Sequence, residues 1–400
     1  RSTQLSPVGA FEKLAPKTNW KWVGFLGVAS AFVILSFYGV VGGWILKYIF
    51  VSLTGGFDSL SNDPEAAKSL FVTFTGSTWS PILFQVLFMA LCVYVIVNGV
   101  KDGIESWSKI MMPIIIILLV VLAVRGLTLE GGIDGLKFLF LPRFEDLNAS
   151  AIVLALGHSF FTLSLGMGTM ITYGSYLNRE QNLLNSALWV LALDTAIAML
   201  AGVAIFTTVF ALGADPAGGA GLIFFILPSV FPQLAYGSIW GTLFFSLLFM
   251  AALTSAISIL EVVTAYFIDQ KGWSRKKATI QFGVVITIVG VFCSLSLGGG
   301  VNITGYFGDT FHHFFGETFF DVMDNLSSKY MLPIGGMFTA IFILMKWSVP
   351  SFINEIGQTI IGKEKDASLV SVLCGTAAIV VGFIILNEII AKVTGNAIIG

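Results

Sequence analysis

Long runs of apolar residues constrain the fold of this chain more than any other feature of its sequence. The hydrocarbon core of a bilayer is about 30 Å thick, so a helix that crosses it needs roughly 20 mostly apolar residues. About nine runs of that length occur between charged residues or clusters of proline and glycine. They cover residues 22–52, 81–99, 110–125, 151–176, 183–213, 238–269, 279–298, 317–347 and 369–392. We therefore predict an all-α polytopic membrane protein with about nine transmembrane helices.

The composition supports a protein that lies in lipid. Hydrophobic residues make up 56% of the chain and charged residues 11%, whereas soluble domains carry about 25% charged residues. With 36 phenylalanines and a mean hydropathy of +0.90, too few polar residues remain to cover a water-soluble body of 400 residues. A net charge of −2 excludes a nucleic-acid surface, which needs a concentrated basic face. The three cysteines lie far apart, which excludes a disulfide framework or a CxxC metal site.

The distribution of lysine and arginine predicts the orientation of the chain. When alternate loops are assigned to opposite sides of the membrane, fourteen of the 21 basic residues fall on the side of residue 1. Because loops rich in these residues stay in the cytoplasm, residues 1–21 are predicted to form a cytoplasmic loop, with the C-terminus outside. A further apolar piece, split by Pro228 and Pro232, is too short to span a membrane. Residues 214–235 are therefore predicted to form a capping hairpin on the outer face.

The run at residues 151–176 contains a predicted break. Gly166 and Gly168 interrupt it beside Thr162, Ser164 and Thr169. A helix that is broken at mid-depth exposes backbone N–H and C=O groups, which hydrocarbon cannot satisfy. These groups must then meet a ligand, water or other protein, so a binding site is one interpretation. Close helix packing through small residues is the alternative, and this segment alone does not separate the two.

Two more polar features lie within apolar runs. Thr254 and Ser255 follow Ala251 by three and four residues, so in a helix both hydroxyl groups can converge with the Ala251 carbonyl group. Such oxygens suit a monovalent cation, although serine and threonine commonly bond back to their own helix. Asp194 lies near the middle of its run, where a carboxylate costs about 2.5 to 3.5 kcal/mol on insertion scales. A bound cation or a proton relay would compensate it, and a structural hydrogen bond to a neighbouring helix is the alternative.

The sequence carries none of the enzyme signatures GxSxG, HExxH, P-loop or GxGxxG. His158, Ser159 and Asp194 supply the residue types of a catalytic triad. However, His158 and Ser159 are consecutive, and consecutive residues of a helix point in different directions. We therefore predict that the protein is not an enzyme. His158 could be a ligand, but a lone histidine is more often a hydrogen-bonded structural residue, which is the interpretation we favour.

Five stretches of the sequence resemble the bacterial branch of the neurotransmitter:sodium symporter family, in the same order and spacing. They are SFYGVVGGW, DGLKFLFLPRFEDL, FFTLSLGMGTMITYGSY, ALTSAISILE and FFDVMD. The resemblance spans nearly the whole chain and implies the leucine-transporter fold, which is built from inverted repeats. It implies that residues 22–400 form a transporter core that matches family helices three to eleven. Members of the family have two helices before the stretch that STQLSPVGAFEKLAP resembles, so the first two helices are expected to be missing here.

The resemblance also implies two sodium ions and no organic cofactor. Thr162 and Asp194 resemble the first sodium site, where Asp194 replaces a residue that is usually asparagine. The Ala251 carbonyl group, Thr254 and Ser255 resemble part of the second site. The residues that resemble the substrate pocket are Ile34, Tyr38, Phe161, Thr162, Ser164, Met167, Ser255 and Ile259. Among them Tyr38 matches the tyrosine that helps to hold the substrate carboxylate, and Asp324 resembles the acidic half of an outer gate.

The implied function is sodium-coupled symport of a neutral hydrophobic or aromatic L-amino acid by alternating access, in the plasma (inner) membrane. Chloride-dependent relatives carry a serine where this chain has Ala198, and Asp194 supplies a fixed carboxylate nearby, so transport is expected to be independent of chloride. The flexible thioether of Met167, at a position often held by phenylalanine, favours larger apolar or aromatic substrates. The implied partners are the amino acid and the bilayer, with a homodimer left open. A membrane receptor or regulatory subunit that binds the amino acid without transporting it is the alternative function.

Overall fold

The computed structural model of the protein describes residues 1–60, 63–147, 149–216, 221–298, 315–356 and 363–394. Every regular element among these residues is a helix. Eight helical segments are long and apolar enough to cross a membrane: Lys21–Leu53, Trp79–Val97, Val100–Leu127, Leu183–Ala211, Gly237–Lys271, Arg275–Ser296, Phe319–Trp347 and Asp366–Thr394. They correspond to eight of the predicted runs, so the prediction of an all-α polytopic membrane protein is confirmed.

The helices are numbered in chain order. The first eight are α1 (Pro7–Leu14), α2 (Lys21–Leu53), α3 (Pro64–Gly76), α4 (Trp79–Val97), α5 (Ser106–Leu127), α6 (Gly132–Phe140), α7 (Ala149–Thr162) and α8 (Thr169–Ser175). The next eight are α9 (Leu183–Ala211), α10 (Leu227–Val230), α11 (Gly237–Lys271), α12 (Arg275–Ser296), α13 (Phe319–Asn325), α14 (Leu332–Phe342), α15 (Val349–Ile356) and α16 (Lys363–Thr394). Short π-helical segments lie at Val100–Glu105, Leu222–Ile226, Leu326–Met331 and Ile343–Trp347.

The remaining predicted run, residues 151–176, is not one helix. It forms α7 and α8, which are separated by the non-helical residues 163–168. The break that Gly166 and Gly168 predicted is therefore present, and the described residues hold eight continuous candidate spans and one broken one.

Three helical regions differ from the predicted boundaries. The span predicted at 110–125 begins ten residues earlier, with the π-helical segment Val100–Glu105 that leads into α5. The charged residues there suggested a loop, but they lie in exposed turns of the helix, where Lys109 pairs with Glu105 at 2.7 Å. Helices α3 and α6 lie in regions that were assigned to loops. Neither contains an apolar run long enough to span a bilayer, so hydropathy did not reveal them.

Helices α2 and α11 form the centre of the molecule. They pack along each other, and α4 and α12 pack against both. Large side chains such as Leu35, Phe88 and Phe245 are fully buried between these helices. Helix α5 packs against α9 and α11, and α8 packs against α11. This arrangement holds the middle of α11 opposite the broken span and α9.

The predicted capping hairpin at 214–235 is helical from residue 221 to residue 233. Residues 221–233 form the π-helical segment Leu222–Ile226, then α10, then a 3₁₀ turn at Phe231–Gln233, and this part packs on α3. Residues 217–220 lie outside the described residues.

Hydrogen bonds also join the end of α2 to the start of α11. The Ser52 hydroxyl group donates to the carbonyl oxygen of Ser238 at 2.9 Å, and the Ser238 hydroxyl group donates to Asp58 at 3.1 Å. These bonds tie the end of α2 to the start of α11.

Candidate functional site

The break between α7 and α8 is fixed by three residues in left-handed backbone conformations. Ser164, Gly166 and Gly168 have φ angles of 53°, 81° and 79°. A Cβ atom on Gly166 would lie 2.2 Å from the carbonyl oxygen of Leu332, and one on Gly168 would lie 2.8 Å from Pro7 Cγ. Glycine is required at Gly166 both by this backbone conformation and by the close approach. Ser164 is a non-glycine residue in the same strained region, and such residues cluster at ligand sites.

One cavity of about 410 Å³ lies beside this break. Its walls consist of Tyr38 from α2, Met112 and Ile115 from α5, His158, Phe161, Thr162, Ser164 and Met167 from the broken span, Asp194 and Ile197 from α9, and Ala251, Thr254, Ser255 and Ile259 from α11. Every residue of the predicted sodium and substrate sets lines this cavity except Ile34. The structure therefore gathers residues from five separate regions of the sequence around one space.

Asp194 is the acidic side chain of the cavity wall, and it is half-buried. The Thr162 hydroxyl group donates to its carboxylate across α7 and α9 at 3.2 Å. This contact agrees with a shared cation site and also with the alternative, a structural hydrogen bond between helices. Within the described ranges no lysine or arginine forms an ion pair with Asp194. A hydroxyl group alone leaves the charge of this carboxylate uncompensated.

Two of the three predicted α11 oxygens, those of Ala251 and Thr254, lie together. The Thr254 hydroxyl group donates to the Ala251 carbonyl oxygen at 2.8 Å, so the expected bond back to the same helix is present. Both oxygens still belong to residues of the cavity wall, and Ser255 is exposed to the cavity. The side chain of Tyr38 approaches Ser255 from α2. The turn therefore offers a carbonyl and two hydroxyl oxygens on one side of the cavity.

Two predicted site residues lie elsewhere. Ile34 is one turn before Tyr38 on α2, but it is fully buried. It lies in the hydrophobic core beside the cavity, and its predicted contact with substrate stays a prediction. Asp324 is in α13, outside the cavity, and its carboxylate accepts a hydrogen bond from Ser328 at 3.3 Å. Its role as an outer gate stays a prediction.

Four residues of the cavity wall were not among the predicted site residues. Met112, Ile115 and Ile197 come from apolar helices, in which the sequence does not distinguish lipid-facing from cavity-facing positions. His158 was interpreted as a structural residue, but it is exposed and lines the cavity. Its position one turn before Thr162 is a signal that could have placed it on this wall.

The chain is similar to known proteins in sequence and in fold. A family model described as the sodium:neurotransmitter symporter family matches residues 72–396. The uncharacterized sodium-dependent transporter YhdH of Bacillus subtilis is 39% identical over 356 residues, which cover 89% of this chain and 76% of that protein. An uncharacterized sodium-dependent transporter of Haemophilus influenzae is 35% identical over 354 residues, with 86% and 75% covered. The crystal structure of MhsT in complex with L-phenylalanine superposes with a TM-score of 0.83 at 42% identity, covering 96% of this chain and 86% of that one.

Proposed function

The chain belongs to the sodium:neurotransmitter symporter family, and we propose that it carries a neutral, hydrophobic or aromatic L-amino acid into the cell together with two sodium ions. The family and the fold identify the protein as a sodium-dependent transporter with many membrane-spanning helices. The family is one of transporters, not of enzymes. We further propose that the protein lies in the plasma membrane, with residues 1–21 in the cytoplasm and the C-terminus outside.

The cavity carries this proposal, because it joins oxygen-bearing residues to apolar ones. Thr162 and Asp194 form the proposed first sodium site, and the turn from Ala251 to Ser255 contributes to the second. Carbonyl, hydroxyl and carboxylate oxygens suit a hard cation. A single carboxylate among them would balance one positive charge without making the empty site highly charged.

The rest of the wall supports an amino acid with an apolar side chain. Phe161 from α7, Met167 from the break and Ile259 from α11 line the cavity, and no lysine or arginine is among the lining residues. The hydroxyl group of Tyr38, whose side chain lines the cavity, would donate to the substrate carboxylate. The structural match was obtained for a protein that binds L-phenylalanine, which also favours an aromatic or bulky apolar substrate.

Two features support coupling to sodium without chloride. Asp194 supplies a fixed negative charge beside the proposed first site, and Ala198, one turn further along α9, has no hydroxyl group to bind chloride. Each sodium ion that moves inward yields about 2.3 kcal/mol per 100 mV of membrane potential. Alternating access to one cavity would use this free energy to accumulate the amino acid.

The test is uptake of radiolabelled phenylalanine or leucine by the complete protein in proteoliposomes. An inward sodium gradient is expected to drive accumulation, and replacement of external chloride by gluconate is expected to leave the initial rate unchanged. Potassium in place of sodium serves as the control. Sodium-dependent binding without accumulation would instead identify a receptor or regulatory subunit.

Ser255→Ala is expected to raise the sodium concentration needed for half-maximal uptake by about three- to tenfold, because one ligand oxygen is lost from the proposed second site. Ser371→Ala is the matched control, since the Ser371 hydroxyl group bonds within α16 at 2.7 Å, away from the cavity. An unchanged sodium dependence would remove Ser255 from the set of ligands.

A further inference from the structure

Two tyrosines hold the short helix α8 against α11. The Tyr173 hydroxyl group donates to Ser258 Oγ at 2.7 Å, and the Tyr176 hydroxyl group donates to Glu261 Oε1. Tyr173 lies on α8 and Tyr176 directly follows the last residue of that helix, three positions further on, whereas Ser258 and Glu261 are three residues apart on α11. Residues at this spacing share one face of a helix, so the two contacts are neighbouring cross-links between the same pair of helices.

The cross-link from Tyr176 ends in an ion pair. Glu261 is fully buried, and its carboxylate accepts bonds from the Arg275 guanidinium group at 2.6 and 2.9 Å. A paired and hydrogen-bonded carboxylate satisfies the requirement for burying a charge. The bonds among Tyr176, Glu261 and Arg275 are therefore explained by the need to compensate a buried charge, and none of these residues lines the cavity.

The cross-link from Tyr173 leads to the proposed sodium site instead. Ser258 donates its own hydroxyl hydrogen to the backbone carbonyl oxygen of Thr254 at 3.0 Å. In a separate bond, the Thr254 side-chain hydroxyl group donates to the carbonyl oxygen of Ala251 at 2.8 Å. Two consecutive hydrogen bonds thus run from α8 through Ser258 to the backbone of Thr254, which belongs to the turn that lines the cavity.

The hydrogen bond from Tyr173 determines which group receives the hydroxyl hydrogen of Ser258. A serine hydroxyl group has one hydrogen to donate and two lone pairs to accept with. Because Tyr173 donates to Ser258, the Ser258 hydrogen is left for the Thr254 carbonyl group, and bonds in such a chain polarise and strengthen one another. Loss of the Tyr173 bond would free the Ser258 hydroxyl group to rotate.

Helix α8 also belongs to the element that carries the break. Its first residue, Thr169, directly follows Gly168, so the position of α8 and the conformation of residues 163–168 are linked by the chain itself. A bond between α8 and α11 therefore joins the two elements that supply the break and the proposed second sodium site.

We propose that Tyr173 is a positioning residue that couples the docking of α8 to sodium binding at the turn from Ala251 to Ser255, through its bond to Ser258. The inference rests on the proposed function of that turn. With α8 docked, the turn keeps the arrangement in which its oxygens converge, and with α8 withdrawn it binds the ion more weakly. By linkage, a bound ion stabilises the docked position of α8 by the same factor.

The test measures uptake by the complete protein over a range of sodium concentrations. Tyr173→Phe is expected to raise the half-maximal sodium concentration about three- to tenfold, the effect of one buried hydrogen bond. The apparent affinity for the amino acid at saturating sodium should change by less than about twofold, because no substrate contact is lost. Ser258→Ala should give the same shift, and the double variant no larger shift than either single one, since all three lack the same bond.

Tyr266→Phe, which removes a tyrosine hydroxyl group from α11 itself, is the matched control and should leave sodium dependence unchanged. Thermal stability of each variant without sodium separates a general loss of packing from a change at the ion site. Wild-type sodium dependence in either single variant, or shifts that add in the double variant, would overturn the proposed coupling. Sodium-independent uptake by the wild type would instead overturn the proposed sodium site itself, so the two failures are distinguishable.

Discussion

Asp194→Asn is expected to lower the initial rate of sodium-driven uptake in chloride-free buffer at least about tenfold, and chloride is expected to restore part of it. Asp194 is the acidic residue of the cavity wall, and asparagine keeps its size while removing its charge. A sodium ion at this depth would then lack a fixed countercharge, and an uncompensated charge in the middle of a membrane is costly. An external anion could supply the missing charge.

The matched control for this variant is Asp102→Asn. Asp102 is exposed, in the π-helical segment before α5, and does not line the cavity. It should transport as the wild type does, with and without chloride. If the Asp194→Asn variant transports at the wild-type rate both with and without chloride, the assignment of Asp194 to the first sodium site is contradicted. A structural hydrogen bond between helices would then be the favoured role of Asp194.

Gly166→Ala is expected to abolish sodium-driven uptake and to destabilise the protein by about 3 kcal/mol or more. The φ angle of 81° alone is costly for alanine, and its Cβ atom would lie 2.2 Å from the carbonyl oxygen of Leu332. Because the obstacle is backbone, α14 and the broken span would have to separate. The measurement is the thermal unfolding temperature of the purified protein, together with uptake.

Gly157→Ala tests the same chemical change where the structure permits it. A Cβ atom on Gly157 has no neighbour within 4 Å, and Gly157 lies inside α7. Alanine is the better helix former by about 1 kcal/mol, so this variant should be as stable as the wild type or slightly more so. If Gly166→Ala behaves like Gly157→Ala, the described geometry of the break is wrong.

The spans and the break were predictable from sequence because each leaves a strong local signal. A run of about 20 apolar residues has few uses other than crossing a bilayer. Gly166 and Gly168, within such a run and beside hydroxyl-bearing residues, indicated an interruption, and the structure has one there. By contrast, α3 and α6 are short and only partly apolar, so hydropathy placed them in loops.

The residues that line the cavity were predictable only in part. Polar residues in apolar helices, such as Asp194 and Thr254, were found because hydrocarbon makes them costly. Ile197 and Ile115 were not found, since an isoleucine that faces the cavity and one that faces lipid look alike in sequence. Ile34 was assigned to the pocket only by its position in the family resemblance, and although it is fully buried, its contact with substrate stays a prediction.

Contacts between distant residues were beyond the reach of the sequence. Tyr173 and Ser258 are 85 residues apart, and each is an ordinary polar residue in an apolar stretch. Only the packing of α8 on α11 brings their hydroxyl groups together. Thr162 and Asp194, 32 residues apart, were assigned to one site only by the family resemblance, because their spacing within their own helices says nothing of their contact.

Whether the cavity holds two sodium ions and the amino acid is tested by two high-resolution maps of the complete protein, one with sodium and a bound amino acid and one in potassium alone. We expect two sodium-dependent densities in the cavity, one in contact with Thr162 and Asp194, and the other with Ala251, Thr254 and Ser255. We further expect the amino acid between them and Tyr38. Ion density at unrelated residues, or a cavity that is identical in both maps, would contradict the proposed function.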